Sequence, residues 1–168
     1  MWALLFGIFV LAVAVLASRR RPQTLAPEPL PSVTTEDIPA VLAALSSDGQ
    51  HGDFAAFLFG ESGQPPAPMD ALNVQFSLEN ERIGIDWVLL APLNIDSQTR
   101  FVAFFESHGR SVQKRQSNDV RSLRVEGEGL AALLQQLLLT EFGVRSDQTL
   151  ELIASGFEWD AGDRGGDE

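Results

Sequence analysis

Residues 72–90 read LNVQFSLENERIGIDWVLL, and their pattern decides the fold. Leu72, Val74, Phe76 and Leu78 alternate with Asn73, Gln75 and Ser77, and Ile83, Ile85, Trp87 and Leu89 form a second alternating set. In a strand, every second side chain falls on the same face. With Asn80-Glu81 as a two-residue turn, Leu78 faces Ile83, Phe76 faces Ile85, Val74 faces Trp87 and Leu72 faces Leu89. Each apolar residue then meets another on one face, and a slip of one residue would undo all four pairs. Asn80 tolerates the positive φ that such a turn requires. On the other face Gln75 lies opposite Asp86, with Glu79 and Glu81 beside the turn. The expectation there is solvent-exposed polar side chains.

The neighbouring stretches extend this hairpin into a domain. Phe54 to Phe59 is apolar on both alternating faces, as in a strand covered on both sides. Ile95 to His108 predicts a helix capped by Asn94 or Asp96 and ended by Gly109, with Phe101, Phe104, Phe105 and His108 toward the sheet. Ser111 to Gln116 and Val120 to Glu126 predict a second hairpin around Ser117-Asn118-Asp119, whose polar first strand suits a sheet edge. Gly129 to Phe142 predicts a helix with Leu130, Leu133, Leu134, Leu137 and Leu138 on its core face. Thr35 to Leu45 predicts a shorter helix before the sheet, with Pro39 in its first turn. Leu150 to Trp159 predicts a closing strand, bulged at Gly156. The order is α-β-β-β-α-β-β-α-β, an α+β, two-layer domain with an antiparallel sheet and helices on one face, over residues 35–159.

Ahead of that domain lie two segments of different character. Trp2 to Ser18 is uncharged and almost wholly apolar, and Arg19, Arg20 and Arg21 follow at once. As a helix this run spans roughly 25 Å, close to the hydrocarbon thickness of a thin bilayer. Residues 1–21 therefore predict a single transmembrane anchor with a basic stop. The arginines orient it with the N-terminus out and the C-terminal domain in the cytoplasm, at the inner (plasma) membrane. A cleaved signal peptide ending near Val15-Leu16-Ala17 is the competing reading. It lacks a positive n-region, and three arginines after the cleavage point would hinder export. Residues 22–34, with Pro22, Pro27, Pro29 and Pro31, predict a semi-rigid spacer reaching roughly 40 Å. Residues 160–168 predict an acidic, disordered tail.

Composition narrows the function classes. The chain has 168 residues, no cysteine and a net charge of −11. Beyond Arg21 there are nine basic residues against 23 acids, a net of −14. That field repels phosphate and disfavours nucleic acid as a partner. Without cysteine, disulfides, thiolate metal sites and cysteine nucleophiles are excluded. His51 and His108 stand apart in the sequence, with no cluster of acids beside them, so no metal site is expected.

Ser62, in Gly60-Glu61-Ser62-Gly63, lacks the context of a nucleophile elbow. Gly127-Glu128-Gly129-Leu130-Ala131-Ala132 matches a G-x-G-x-x-A phosphate loop in spacing. Glu126 and Glu128 would repel a pyrophosphate, and the strand before it belongs to a hairpin, so no cofactor is expected. Five of the nine basic residues, Arg110, Lys114, Arg115, Arg121 and Arg124, fall within fifteen positions on the second hairpin. They form a candidate positive patch for a protein partner, and Leu139 on the leucine-rich helix is a further contact candidate. The Gly60–Asp70 loop is a third.

The expected function is a non-enzymatic protein-interaction or tethering module, bound to the lipid bilayer through Trp2–Ser18 and to another protein through its cytoplasmic domain. The alternative is a membrane-bound enzyme or small-ligand-sensing domain using an acidic pocket around Asp86 and Glu126. The layout of anchor, proline spacer and α+β domain resembles that of bacterial membrane tethers of the division and envelope machinery, in architecture alone.

Overall fold

The computed structural model describes residues 32–60, 71–117 and 119–159. The Trp2–Ser18 run, the arginines after it, Ser62 and the 160–168 tail lie outside them, as does most of the Gly60–Asp70 loop. No helix among the described residues is long and apolar enough to cross a membrane.

Among the described residues, seven antiparallel strands and three helices make an α+β fold. The strands are β1 (Ser32–Val33), β2 (Phe54–Phe59), β3 (Leu72–Glu79), β4 (Arg82–Val88), β5 (Gln113–Ser117), β6 (Val120–Glu126) and β7 (Leu150–Ser155). The helices are α1 (Ile38–Asp48), α2 (Pro92–Ser107) and α3 (Leu130–Phe142). Strand order across the sheet is β1-β7-β2-β3-β4-β6-β5.

The β3–β4 hairpin has the register that its sequence implies. Leu78 pairs with Ile83, Phe76 with Ile85 and Gln75 with Asp86. Asn80 and Glu81 turn the chain at φ 50° and 63°, the left-handed pair that matches the twist of the strands. Leu72, Val74, Phe76, Ile85 and Trp87 then share one core with the apolar stripes of the helices: Ile38, Val41 and Leu45 of α1, Phe101, Phe104 and Phe105 of α2, and Leu130, Leu134, Leu137, Leu138 and Phe142 of α3. The Trp87 ring lies between Phe101 and Phe142, each at a centroid distance of 5.3 Å.

β2 is buried at all six positions. It sits inside the sheet, with β3 on one side and β7 on the other. Ala55, Phe57 and Phe59 enter the helix-side core, whereas Phe54, Ala56 and Leu58 are buried on the opposite face.

Several boundaries differ from expectation, each for a local reason. Ser32 and Val33, at the end of the expected spacer, pair with Glu151 and Leu150 as a strand. The first helix opens with a 3-10 turn, Thr35–Asp37, because the Asp37 carboxylate accepts bonds from both the Thr34 amide (2.7 Å) and its hydroxyl (3.0 Å). α2 begins at Pro92, earlier than expected, with Ala91 as its N-cap; proline suits a first turn, where its missing donor costs nothing.

Neither Asn94 nor Asp96 is that cap. Asn94 is fully buried, accepting from the Asn73 amide (3.0 Å) and donating to the Asn73 carbonyl (2.7 Å). It supplies the main-chain partners that a neighbouring strand would give β3. His108 is exposed at the end of α2 and does not face the sheet; its Nδ1 lies 2.8 Å from the Phe104 carbonyl oxygen. β7 ends at Ser155, and Gly156 follows at φ 88°, outside the strand.

Candidate functional site

The sheet face that no described helix covers carries a cluster of buried charge. β3, β4, β6 and β5 are neighbours in that order, and alternation brings Ser77 and Glu79, Arg82, Gly84 and Asp86, Arg124 and Glu126, and Gln113 and Arg115 onto that one face. At its centre Arg124 is fully buried, at 0% exposure. Gly84 makes room for it: a Cβ there would meet the Arg124 guanidinium carbon at 2.5 Å.

The guanidinium is fully engaged. Its Nη1 donates to Ser77 Oγ (2.6 Å) and Asp86 Oδ2 (2.7 Å), and its Nε to Glu126 Oε1 (2.8 Å). Its Nη2 reaches the carbonyls of Arg82 (3.1 Å) and Ser77 (3.4 Å). A guanidinium has five N–H groups in a rigid fork, and each of the five has a protein acceptor. Ser77 in turn donates to Asp86 Oδ2 at 2.5 Å.

The cluster continues to the sheet edge. Arg115 pairs with Glu79 and, at 3.0 Å, with Glu126, and it also donates to Gln113 Oε1 at 3.0 Å. Arg82 reaches Glu126 Oε2 at 3.5 Å from a largely exposed position. Three acids, Glu79, Asp86 and Glu126, therefore face three arginines, 82, 115 and 124, and the cluster neutralises itself.

Titration behaviour follows from this placement. Burial pushes the Asp86 carboxyl up to about 6, against the pull of Arg124 and the Ser77 hydroxyl. Burial also works against the charged Arg124, but Asp86 and Glu126 outweigh it and hold the guanidinium above its ordinary value. The hydrogen bond from Arg124 is the main cause that lowers Glu126.

These contacts revise the expected patch. Arg124 is no surface contact but the hub of a buried cluster, because only Gly84 beneath it gives a strand residue room to lie flat. Arg115 is drawn into ion pairs on the same face. Asp86, at 3% exposure, is not a solvated hairpin residue. The space between Asp86 and Glu126, where the alternative reading places an acidic pocket, is taken by the Arg124 side chain.

Arg110 reaches back across Gly127, donating to the Glu128 carbonyl at 2.8 Å. It thus covers the loop that mimics a phosphate-binding motif. β6, ahead of that loop, pairs antiparallel with β4 and β5, so the parallel strand–helix context of dinucleotide sites is missing. Lys114 and Arg121 are exposed and form no ion pair with any described residue. Leu139 is 58% exposed on α3.

The sequence signal for the buried cluster was Gly84, an isolated glycine in a strand opposite a run of charges. Such a glycine marks a close approach by another group. No group of three or more potential metal ligands occurs among the described residues. Comparison with family models, with curated proteins and with solved structures gives no match.

Proposed function

We propose that the chain is a single-pass membrane protein whose α+β domain is a protein-interaction or tethering module. Trp2–Ser18 is its anchor and the domain lies on the cytoplasmic side. The observation that carries this reading is the saturation of the charged cluster. The strongest candidate for a catalytic or ligand-sensing centre, the acids at Asp86 and Glu126, surrounds a guanidinium with no donor left to offer. Its acids are matched one for one by arginines. Such a cluster ties four strands together, and its buried pair, Arg124 and Asp86, is directed at protein groups. Exposed basic residues at the β5 edge and Leu139 on α3 remain as surfaces for a partner, in keeping with the fixed scaffold beneath them.

The test has two arms. A C-terminal epitope should stay with the membrane fraction after alkaline carbonate washing and resist protease added to intact spheroplasts. Its digestion there would overturn the orientation. Second, full-length chain purified from detergent-solubilised membranes should bring down a stoichiometric partner. Retention of that partner by the anchor-deleted domain, with both lost from the membrane fraction, fits a tether. Purification of the chain alone, under detergents that keep other membrane complexes intact, would overturn the interaction reading.

A further inference from the structure

The outer edge of β5 pairs with no described strand. Among the described residues it is an end strand of the sheet, paired with β6 alone. Ser117 pairs with Val120 across a tight turn, then Gln116 with Arg121, Arg115 with Ser122 and Lys114 with Leu123. In a hairpin closed by a two-residue turn, the closing pair exchanges both hydrogen bonds, and bonded and non-bonded pairs then alternate. Ser117, Arg115 and Gln113 thus turn their main-chain groups toward β6, and Gln116 and Lys114 turn theirs away from the sheet. A separate contact supports this phase. The Leu89 amide donates to the Arg121 carbonyl at 2.9 Å, so Arg121 faces β4 and Gln116 opposite it has no bond from β6.

The charge along this edge is unlike that of the rest of the chain. From Ser107 to Asn118 there is no acidic residue, although acids outnumber basic residues nearly two to one overall. Lys114 and Arg121 lie on the helix-side face with Gln116, exposed and without an ion pair to any described residue. Arg115, on the other face, is already neutralised by Glu79 and Glu126.

We propose that β5 accepts an extended, acidic segment of another protein as a further strand, with a carboxylate opposite Lys114 and the charge of Arg121 one strand behind it on the same face. This rests on the interaction-module reading and names the chemistry of its partner. Main-chain bonds to Lys114 and Gln116 supply affinity, and alternate side chains supply specificity. A second copy of this chain is a poor guest: antiparallel pairing of two β5 strands brings Lys114 near its own copy, and like charges on paired strands repel. The lysine that protects the edge against self-association is also the group that selects an acidic guest.

The experiment is selection from a random short-peptide library on full-length chain in detergent micelles, followed by affinity measurement on two variants. Gln116→Pro removes one outward donor without touching a bond to β6, and Lys114→Glu reverses the charge. Enriched peptides should carry alternating acids. They should bind each variant about three- to tenfold more weakly, as the loss of one main-chain hydrogen bond or one charge match implies. They should also protect the Lys114 and Gln116 amides of the wild type from hydrogen exchange.

Unchanged exchange of the β6 amides establishes that Gln116→Pro keeps the fold, and Lys114→Glu carries the test if it does not. Peptides without an acidic bias, peptides indifferent to both variants, or no enrichment would each overturn the edge proposal. So would a concentration-dependent dimer that Gln116→Pro abolishes, since it would assign the edge to a second copy. The interaction reading fails by a different result: a chain that binds such peptides but purifies from membranes with no partner.

Discussion

Replacing Gly84 with alanine should destabilise the domain, although at an ordinary strand position the same change is neutral or favourable. A Gly→Ala change that fits the native backbone usually stabilises by about 0.4–1 kcal/mol, because it restricts the unfolded chain. At Gly84 the new methyl would meet the Arg124 guanidinium at 2.5, 2.6 and 2.8 Å from Cζ, Nε and Nη2. Ordinary contact begins at 3.4 Å, so the group must withdraw by about 0.9 Å. Its bonds to Ser77, Asp86 and Glu126 are 2.6–2.8 Å long, and that withdrawal takes them to the limit of hydrogen bonding.

Breaking a buried ion pair costs about 3–5 kcal/mol, so a net loss of about 3 kcal/mol is expected. In urea denaturation of the full-length chain, followed by far-ultraviolet circular dichroism in mild detergent, the midpoint should fall by about 1–2 M. In an Arg124→Met background the alanine should cost about 1 kcal/mol or less, because methionine bends where a tethered guanidinium does not. An unchanged or raised midpoint for Gly84→Ala alone would refute the claim that Arg124 is fixed in place.

Further outcomes follow from the charged cluster and from the β3–β4 turn. Asp86 has a folded pKa of about 6 against an ordinary 3.8. A carboxyl raised in this way favours the folded state most below its unfolded value and loses that advantage as pH rises through the folded one. Stability should therefore fall by about 3 kcal/mol between roughly pH 4 and 6, and Asp86→Asn should flatten that part of the profile; an identical profile would refute it. Glu126, whose pKa is lowered, has the opposite sign, stabilising above its ordinary 4.5 and losing that on acidification, so Glu126→Gln separates the two effects. Glu81→Gly relieves a left-handed residue at φ 63° and should stabilise by about 0.5–1 kcal/mol, raising the thermal midpoint by a few degrees; a lower midpoint would mean that the turn is not strained.

Much of the fold was legible because its signals are local or periodic. Alternation from Leu72 to Leu89 fixed both strands and their register. The leucines of α3 and the glycines at its two ends, Gly129 and Gly143 (φ 69° and 66°), fixed a helix. What stayed hidden depends on contacts between residues far apart in sequence. Asn94 reads as a helix cap because asparagine favours that position, but Trp87 and Asn73 lie near enough to claim it: the Trp87 indole donates to its carbonyl at 2.8 Å. Asp86 and Arg124 read as surface charges on separate hairpins. Their burial follows only from β6 pairing with β4, a partnership that no local pattern announces. Ser32–Val33 reads as spacer because a two-residue strand has no period of its own.

The position of β7 has a consequence for the order of events during synthesis. Phe54-Ala55-Ala56-Phe57-Leu58-Phe59 pairs on one side with β7, the last strand among the described residues, which is made about 90 residues later. Until Leu150–Ser155 arrives, that hexamer has an open side, and it combines high strand propensity, no charge and no proline, the character of a segment prone to aggregate. A nascent chain must therefore carry this apolar strand half-finished until those later residues are made. Any premature stop between Phe142 and Leu150 would leave it permanently so.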